Sequence, residues 1–199
     1  MTHGFSCDGE RIVARFEDAE LELMSSLLRQ TADLLEDAFA PQEPTSAETG
    51  SPDTFEEMMR AAGFVAGVPE VPADPAVARL LPDGHHDDPL AAAEFRRLTA
   101  SSVRDRKLAN LRAARAAVES AQDGLVDLDP DSAHCLLIGL NDIRLVLGER
   151  LGLRTDEDAD ELEAQLAGSP SDDPYLGLLL AYEFLTWLQE TLATALLPD

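Results

Sequence analysis

Lysine occurs once in this 199-residue chain, tryptophan once and cysteine twice, and aromatic residues make up only 5% of it. Each shortage excludes something. Two cysteines, Cys7 and Cys135, cannot build a disulfide framework or a cysteine-rich metal site. Few aromatics leave Leu, Ala and Val to form the core. Positive charge is short as well: 15 Lys and Arg face 39 Asp and Glu, for a net charge of −24. That balance repels duplex DNA and anionic membrane surfaces at long range and favours basic protein surfaces as partners. No glycine-rich phosphate loop is present, because Gly148 and Gly152 lie within a helical pattern. The most apolar stretch, Tyr175 to Leu197, is interrupted by Glu183, Gln189 and Glu190. Its unbroken runs fall short of the roughly 20 residues a membrane span needs. The opening MTHGFSCDGERIV has no cationic start followed by an apolar run, so no secretory signal is read. The expectation is a cytoplasmic protein with no membrane contact, no metal and no cofactor.

What is present is a hydrophobic content of 45% in a chain long enough for one domain with a proper core. Helix starts are marked by Asp-Pro or Ser-Pro at Ser51-Pro52, Asp74-Pro75, Asp88-Pro89, Asp129-Pro130 and Asp173-Pro174. The Asp or Ser can accept from free first-turn N–H groups, and proline tolerates the first helical position because its missing N–H has no partner there. Thr155 followed by Asp158 forms a weaker capping signal. Upstream, Ile12, Ala14 and Phe16 alternate with Arg11, Val13 and Arg15 after Asp8-Gly9, which predicts a β-hairpin within residues 3–17. Residues 19–38 then read as a helix with Leu21, Met24, Leu28, Thr31 and Leu35 on one stripe. Residues 40–52 read as a flexible linker and 53–62 as a short helix. A long helix is expected over 89–122, bending near 99–102. The segment Pro130 to Leu151 is apolar nearly all round and predicts the buried centre of a bundle. The last helix, Pro174 to Leu197, is also more apolar than one buried face requires. The reading is a mainly α single-domain helical bundle over 1–199, with a small N-terminal β-hairpin and a helical core from 74 to 199.

Catalytic constellations are missing. Asp127-Leu-Asp129-Pro-Asp131 begins like a calcium loop but fails, since Ser132 stands where Gly is needed and Ile138 where the closing Glu belongs. Asp129 as a helix cap explains it better. His85-His86-Asp87-Asp88 reads as a polar turn, because adjacent residues rarely point at one ion. His134 and Cys135 are helix neighbours that diverge. An enzyme would need a cleft gathering His134, Asp142 and Arg144. Cys7 and Cys135 remain the redox candidates. Cys7 stands among the acidic Asp8 and Glu10, and Cys135 lies in an apolar helix. Neither has the electropositive surroundings typical of reactive thiols.

The charge that does cluster is positive. Arg96, Arg97, Arg104, Arg106, Lys107, Arg112 and Arg115 fall within residues 94–115, opposed only by Glu94 and Asp105; seven of 15 basic residues thus occupy about a tenth of the chain. On one helix most of them share a broad side with Leu108 and Leu111. Stems packed on the core with guanidinium groups reaching carboxylates would satisfy both. The acidic runs 17–22 and 156–163 are the candidate partners, and an external anionic partner is the alternative. The excess of Arg over Lys reads as codon bias.

Four stretches resemble one family: Asp74 to Asp83 (DPAVARLLPD), Glu94 to Thr99 (EFRRLT), Leu140 to Leu153 (LNDIRLVLGERLGL) and Tyr182 to Glu190 (YEFLTWLQE). Together they are similar to an actinobacterial family, formerly a domain of unknown function, named for an oxidative-stress transcriptional regulator (AosR-like). The resemblance implies a cytoplasmic, non-enzymatic regulator of stress-responsive transcription. It implies action through a sigma factor or RNA polymerase, and redox sensing through closely spaced N-terminal cysteines. This chain departs there: Cys7 has no cysteine neighbour, and its one intrachain candidate partner is Cys135. The function expected is transcription regulation by protein contact, with direct DNA binding disfavoured. The alternative is an adaptor that forms a homodimer through its apolar C-terminal helix.

Overall fold

The computed structural model describes residues 2–39, 72–82, 84, 88–170 and 173–197, with backbone only at 89–94, 96, 97 and 156. The expected linker at 40–52, the short helix at 53–62 and the turn residues His85, His86 and Asp87 lie outside the described residues. Three strands and six helices are described: β1 (His3–Asp8), β2 (Arg11–Arg15), α1 (Asp18–Asp37), α2 (Pro75–Leu80), α3 (Pro89–Glu119), β3 (Leu125–Leu128), α4 (Pro130–Leu151), α5 (Asp156–Leu166) and α6 (Pro174–Ala195). The architecture is mainly α with a small antiparallel sheet.

The hairpin forms as expected, with Cys7 opposite Ile12 and Asp8 opposite Arg11 around a turn at Gly9. The sheet also has a third strand that the sequence did not announce. β3 pairs with β2, setting Leu128 against Ile12 and Leu125 against Arg15. Its entry turn uses positive φ at Asp123 and Gly124. A Cβ on Gly124 would come within 2.4 Å of the Phe16 carbonyl oxygen, so only glycine fits. Alternation buries Ile12, Ala14, Val126 and Leu128 on one sheet face.

Helix α4 is the hub, in contact with α1, α2, α3, α6 and the sheet. Leu136, Leu140, Ile143 and Leu147 recur at helical spacing and are buried. The Asp129 carboxylate accepts from the Ser132 N–H at 2.8 Å, so the aspartates that imitate a calcium loop serve as a cap. That bond holds the Asp129 carboxyl below its ordinary range. The helix ends at Gly152 in the left-handed region, with the Leu153 N–H donating to the Gly148 carbonyl. Asp74 and Asp173 cap α2 and α6 in the same way, and Thr155 and Asp158 cap α5 reciprocally. Gly139 lies where α1, α3 and α4 converge, and a Cβ there would meet Leu28 and Ala114 at about 3 Å. Helix α3 runs unbroken through 99–102, where a bend was expected. Among the described residues, no helix is long and apolar enough to cross a membrane.

Candidate functional site

The basic cluster lies along α3. The backbone of Arg96 and Arg97 is helical, and their side chains lie outside the described residues. Of the remaining five cations, four meet carboxylates within the chain. Lys107 Nζ donates to Asp142 Oδ1 at 2.5 Å, Arg112 to Glu36 at 2.6 Å, Arg115 to Glu119 at 2.8 Å and Arg104 to its neighbour Asp105 at 2.8 Å. Arg104 also lies over the Phe39 ring, 5.0 Å from its centroid. Arg106 is exposed and makes no ion pair among the described residues. These partners differ from the acidic runs at 17–22 and 156–163 suggested by charge alone. Glu36 is where it is needed because α1 and α3 pack side by side, whereas Glu119 meets Arg115 one turn along α3.

The pairs are unequal. The Arg112 and Arg115 pairs are open to water, where such a pair contributes about 0–1 kcal/mol. The chain's one lysine is different: its side chain is 19% exposed and that of Asp142 is 0% exposed. Burial pushes the Asp142 carboxyl above its ordinary range, and Lys107 offsets part of that shift. Among the described residues, Asp142 Oδ2 has no hydrogen-bond partner. In contrast, Arg115 and the Ser25 hydroxyl hold Glu119 below its ordinary range.

On α6 the apolar excess resolves into two faces. Leu179, Leu185, Leu188 and Leu192 are buried, whereas Leu180 is 56% exposed and Trp187 39% exposed. Leu180, Phe184 and Trp187 lie four and three residues apart, which aligns them on one stripe. The Phe184 and Trp187 rings stack at a tilt, 6.0 Å between centroids. The exposed Glu183 and Glu190 flank the stripe. Trp187 reaches β1, where a Cβ on Gly4 would crowd it at 3.0 Å. The sequence showed more apolar residues than one face needs; which of them stay outside depended on the packing of α4 and β1.

The two cysteines sit on different elements with different neighbours. Cys7 is exposed on β1, its thiol directed at the Gly9 carbonyl, beside a groove shared with Thr194 and Ala195. Cys135 is half-buried on α4 and faces Asn110 of α3 at 3.8 Å. His134, Asp142 and Arg144 are not gathered into one cleft. His134 contacts the Pro130 carbonyl, Asp142 faces Lys107, and Arg144 faces Gln189 and Tyr182 of α6. Among the described residues, no group of His, Cys, Asp or Glu is placed to hold a metal ion.

Residues 2–196 match a protein family described as a domain of unknown function, DUF2017. The chain belongs to that family. It is also similar to proteins named oxidative stress regulator AosR from Mycobacterium tuberculosis and Mycobacterium bovis. These are 28% identical over 207 residues, an alignment that covers 96% of this chain and 84% of the relative. No solved structure matches the chain. The DUF2017 match takes in nearly all of it, including both the α3 cluster and the α6 stripe.

Proposed function

We propose that this chain, acting as one domain over 1–199, is a non-enzymatic, cytoplasmic regulator of stress-responsive transcription. It works by contact with a sigma factor or RNA polymerase and not by holding DNA. The observation that carries the reading is the α6 stripe of Leu180, Phe184 and Trp187, an apolar surface with a carboxylate rim on a chain of net charge −24. A surface of that kind suits a protein partner with an apolar centre and basic surroundings. The likeness to a protein named an oxidative stress regulator supports the biological setting. The α3 cluster supports the exclusion of DNA: four of its five described cations already face carboxylates, and phosphate binding needs free ones.

The oxidant-responsive group in this proposal is Cys7, exposed on an edge strand, and not the half-buried Cys135. Reconstitution with purified RNA polymerase and its sigma factors tests the whole reading, under oxidising and reducing conditions. Co-elution with one component is expected, together with its loss in Leu180→Glu and loss of its redox dependence in Cys7→Ser. No co-elution in either state would refute the proposal. The same stripe could instead pair two copies; a dimer by light scattering that Leu180→Glu dissociates would transfer the surface to that use.

A further inference from the structure

A cavity of about 110 Å³ lies between α2, α4 and α6, lined by Arg79, Asn141, Arg144, Gly148 and Tyr182 among others. At about 30 Å³ per water, that is room for three or four waters, or for one small anionic group. Its walls are unusual for this chain. Half-buried Lys107 has a carboxylate, and so do Arg79 on the cavity wall, with Glu149, and Arg150 and Arg154 at and beyond the end of α4, with Asp74 and Glu149. Arg144 has none. Its Nη1 donates to Gln189 Oε1 and its Nη2 to the Tyr182 hydroxyl, with the guanidinium 5.2 Å from the Tyr182 ring centroid. A guanidinium carries five N–H donors, so these bonds use two, and among the described residues the buried Nε finds no acceptor. Exposed Arg106 can turn to water. Arg144 is partly buried, and a cation removed from water calls for a negative partner.

We propose that this cavity binds a small oxyanion, a phosphate or carboxylate group. Arg144 is its cation, and the Tyr182 hydroxyl and Asn141 amide are further donors; Arg79 also lines the cavity, with its charge matched by Glu149. The Tyr182 oxygen accepts from Arg144, which leaves its own O–H available to the anion. Arginine suits this task because its planar fork can meet two oxygens at once. The inference is independent of the docking role proposed for the outer face of α6.

Isothermal calorimetry and thermal unfolding with inorganic phosphate and with acetate test it. Ionic strength is held constant with chloride, because screening alone steadies a chain of this charge. Saturable binding of at least one of the two anions, complete by about 10 mM, is expected beyond the chloride response. Asn141→Asp places a negative charge on the cavity wall at an exposed position and should abolish binding with the fold intact. Arg144→Gln should weaken binding about tenfold or more; Tyr182→Phe, which keeps the ring, serves if that variant fails to fold. A response no different from chloride, or binding that survives Asn141→Asp unchanged, would overturn the proposal.

Discussion

The α3–α4 seam and the outer face of α6 place their residues contrary to the usual division of charge outside and hydrocarbon inside. At the seam, a lysine from a conspicuously charged helix reaches a fully buried carboxylate. On α6, in the most apolar part of the chain, a leucine and the only tryptophan face outward. The charge cluster reads in the sequence first as ion pairing within the chain, and four of its five described cations do meet carboxylates there, though not in the acidic runs expected. The final helix reads as more apolar than one buried face requires, and the excess is an exposed stripe. Charge clustering therefore has to be judged by what packs beside it, and apolar excess by how many faces its neighbours can cover.

That contrast predicts a crossed pattern of mutational effects. The largest belongs to the seam. Lys107→Met leaves the Asp142 carboxylate buried and unpaired, which should destabilise the fold by about 3 kcal/mol in chemical denaturation at neutral pH. The loss should shrink with acid. Asp142 titrates above its ordinary range in the folded state, so protonation favours folding as pH falls through that raised value, toward the ordinary 3.8. Asp74, Glu119 and Asp158 are held low and act in the opposite sense: their contribution is present above the ordinary carboxylate range and is lost as pH falls through their folded values. They are common to variant and parent, so the difference between the two curves isolates Asp142. A loss that grows with acid would break the assignment.

Next in size is Leu180→Glu on the stripe. It should change stability by no more than about 0.5 kcal/mol, yet weaken partner binding by about 2 kcal/mol, or roughly thirtyfold, if Leu180 is an anchor. Equal effects on stability and binding would erase the distinction between the two regions. Smaller still is Asp142→Asn, which keeps an acceptor for Lys107 and removes the buried charge. Its effect at neutral pH should stay within about 1 kcal/mol. The smallest is Arg112→Gln, where the pair with Glu36 is open to water and about 0.5 kcal/mol is the expected loss.

Much of the fold could be read from local chemistry. The Asp-Pro pairs at 74, 129 and 173 start helices because cap and proline each solve a first-turn problem, and the alternation of Ile12, Ala14 and Phe16 marks a strand whose one face is buried. β3 escaped because four residues between a turn and an Asp-Pro cap carry too little pattern, and its partner is over a hundred residues away. Two of the acidic partners of α3 escaped for a similar reason. Glu36 and Asp142 are chosen by packing between helices, not by local charge density. Asp142 did leave a trace, as a lone carboxylate among apolar neighbours in a helix read as buried. Lys107 left another: an arginine-rich composition explains fourteen choices, and the exception is the residue at the buried pair.

Trp187 offers the most direct test of the protein-contact account, since it is the only tryptophan and lies on the stripe. With 5-fluorotryptophan incorporated, its single fluorine resonance can be followed while purified sigma factors and RNA polymerase are added in turn. The account predicts that one component shifts or broadens the resonance, and that Leu180→Glu abolishes the change while Arg112→Gln leaves it. A resonance unmoved by every component, with the cysteines reduced or oxidised, would contradict it.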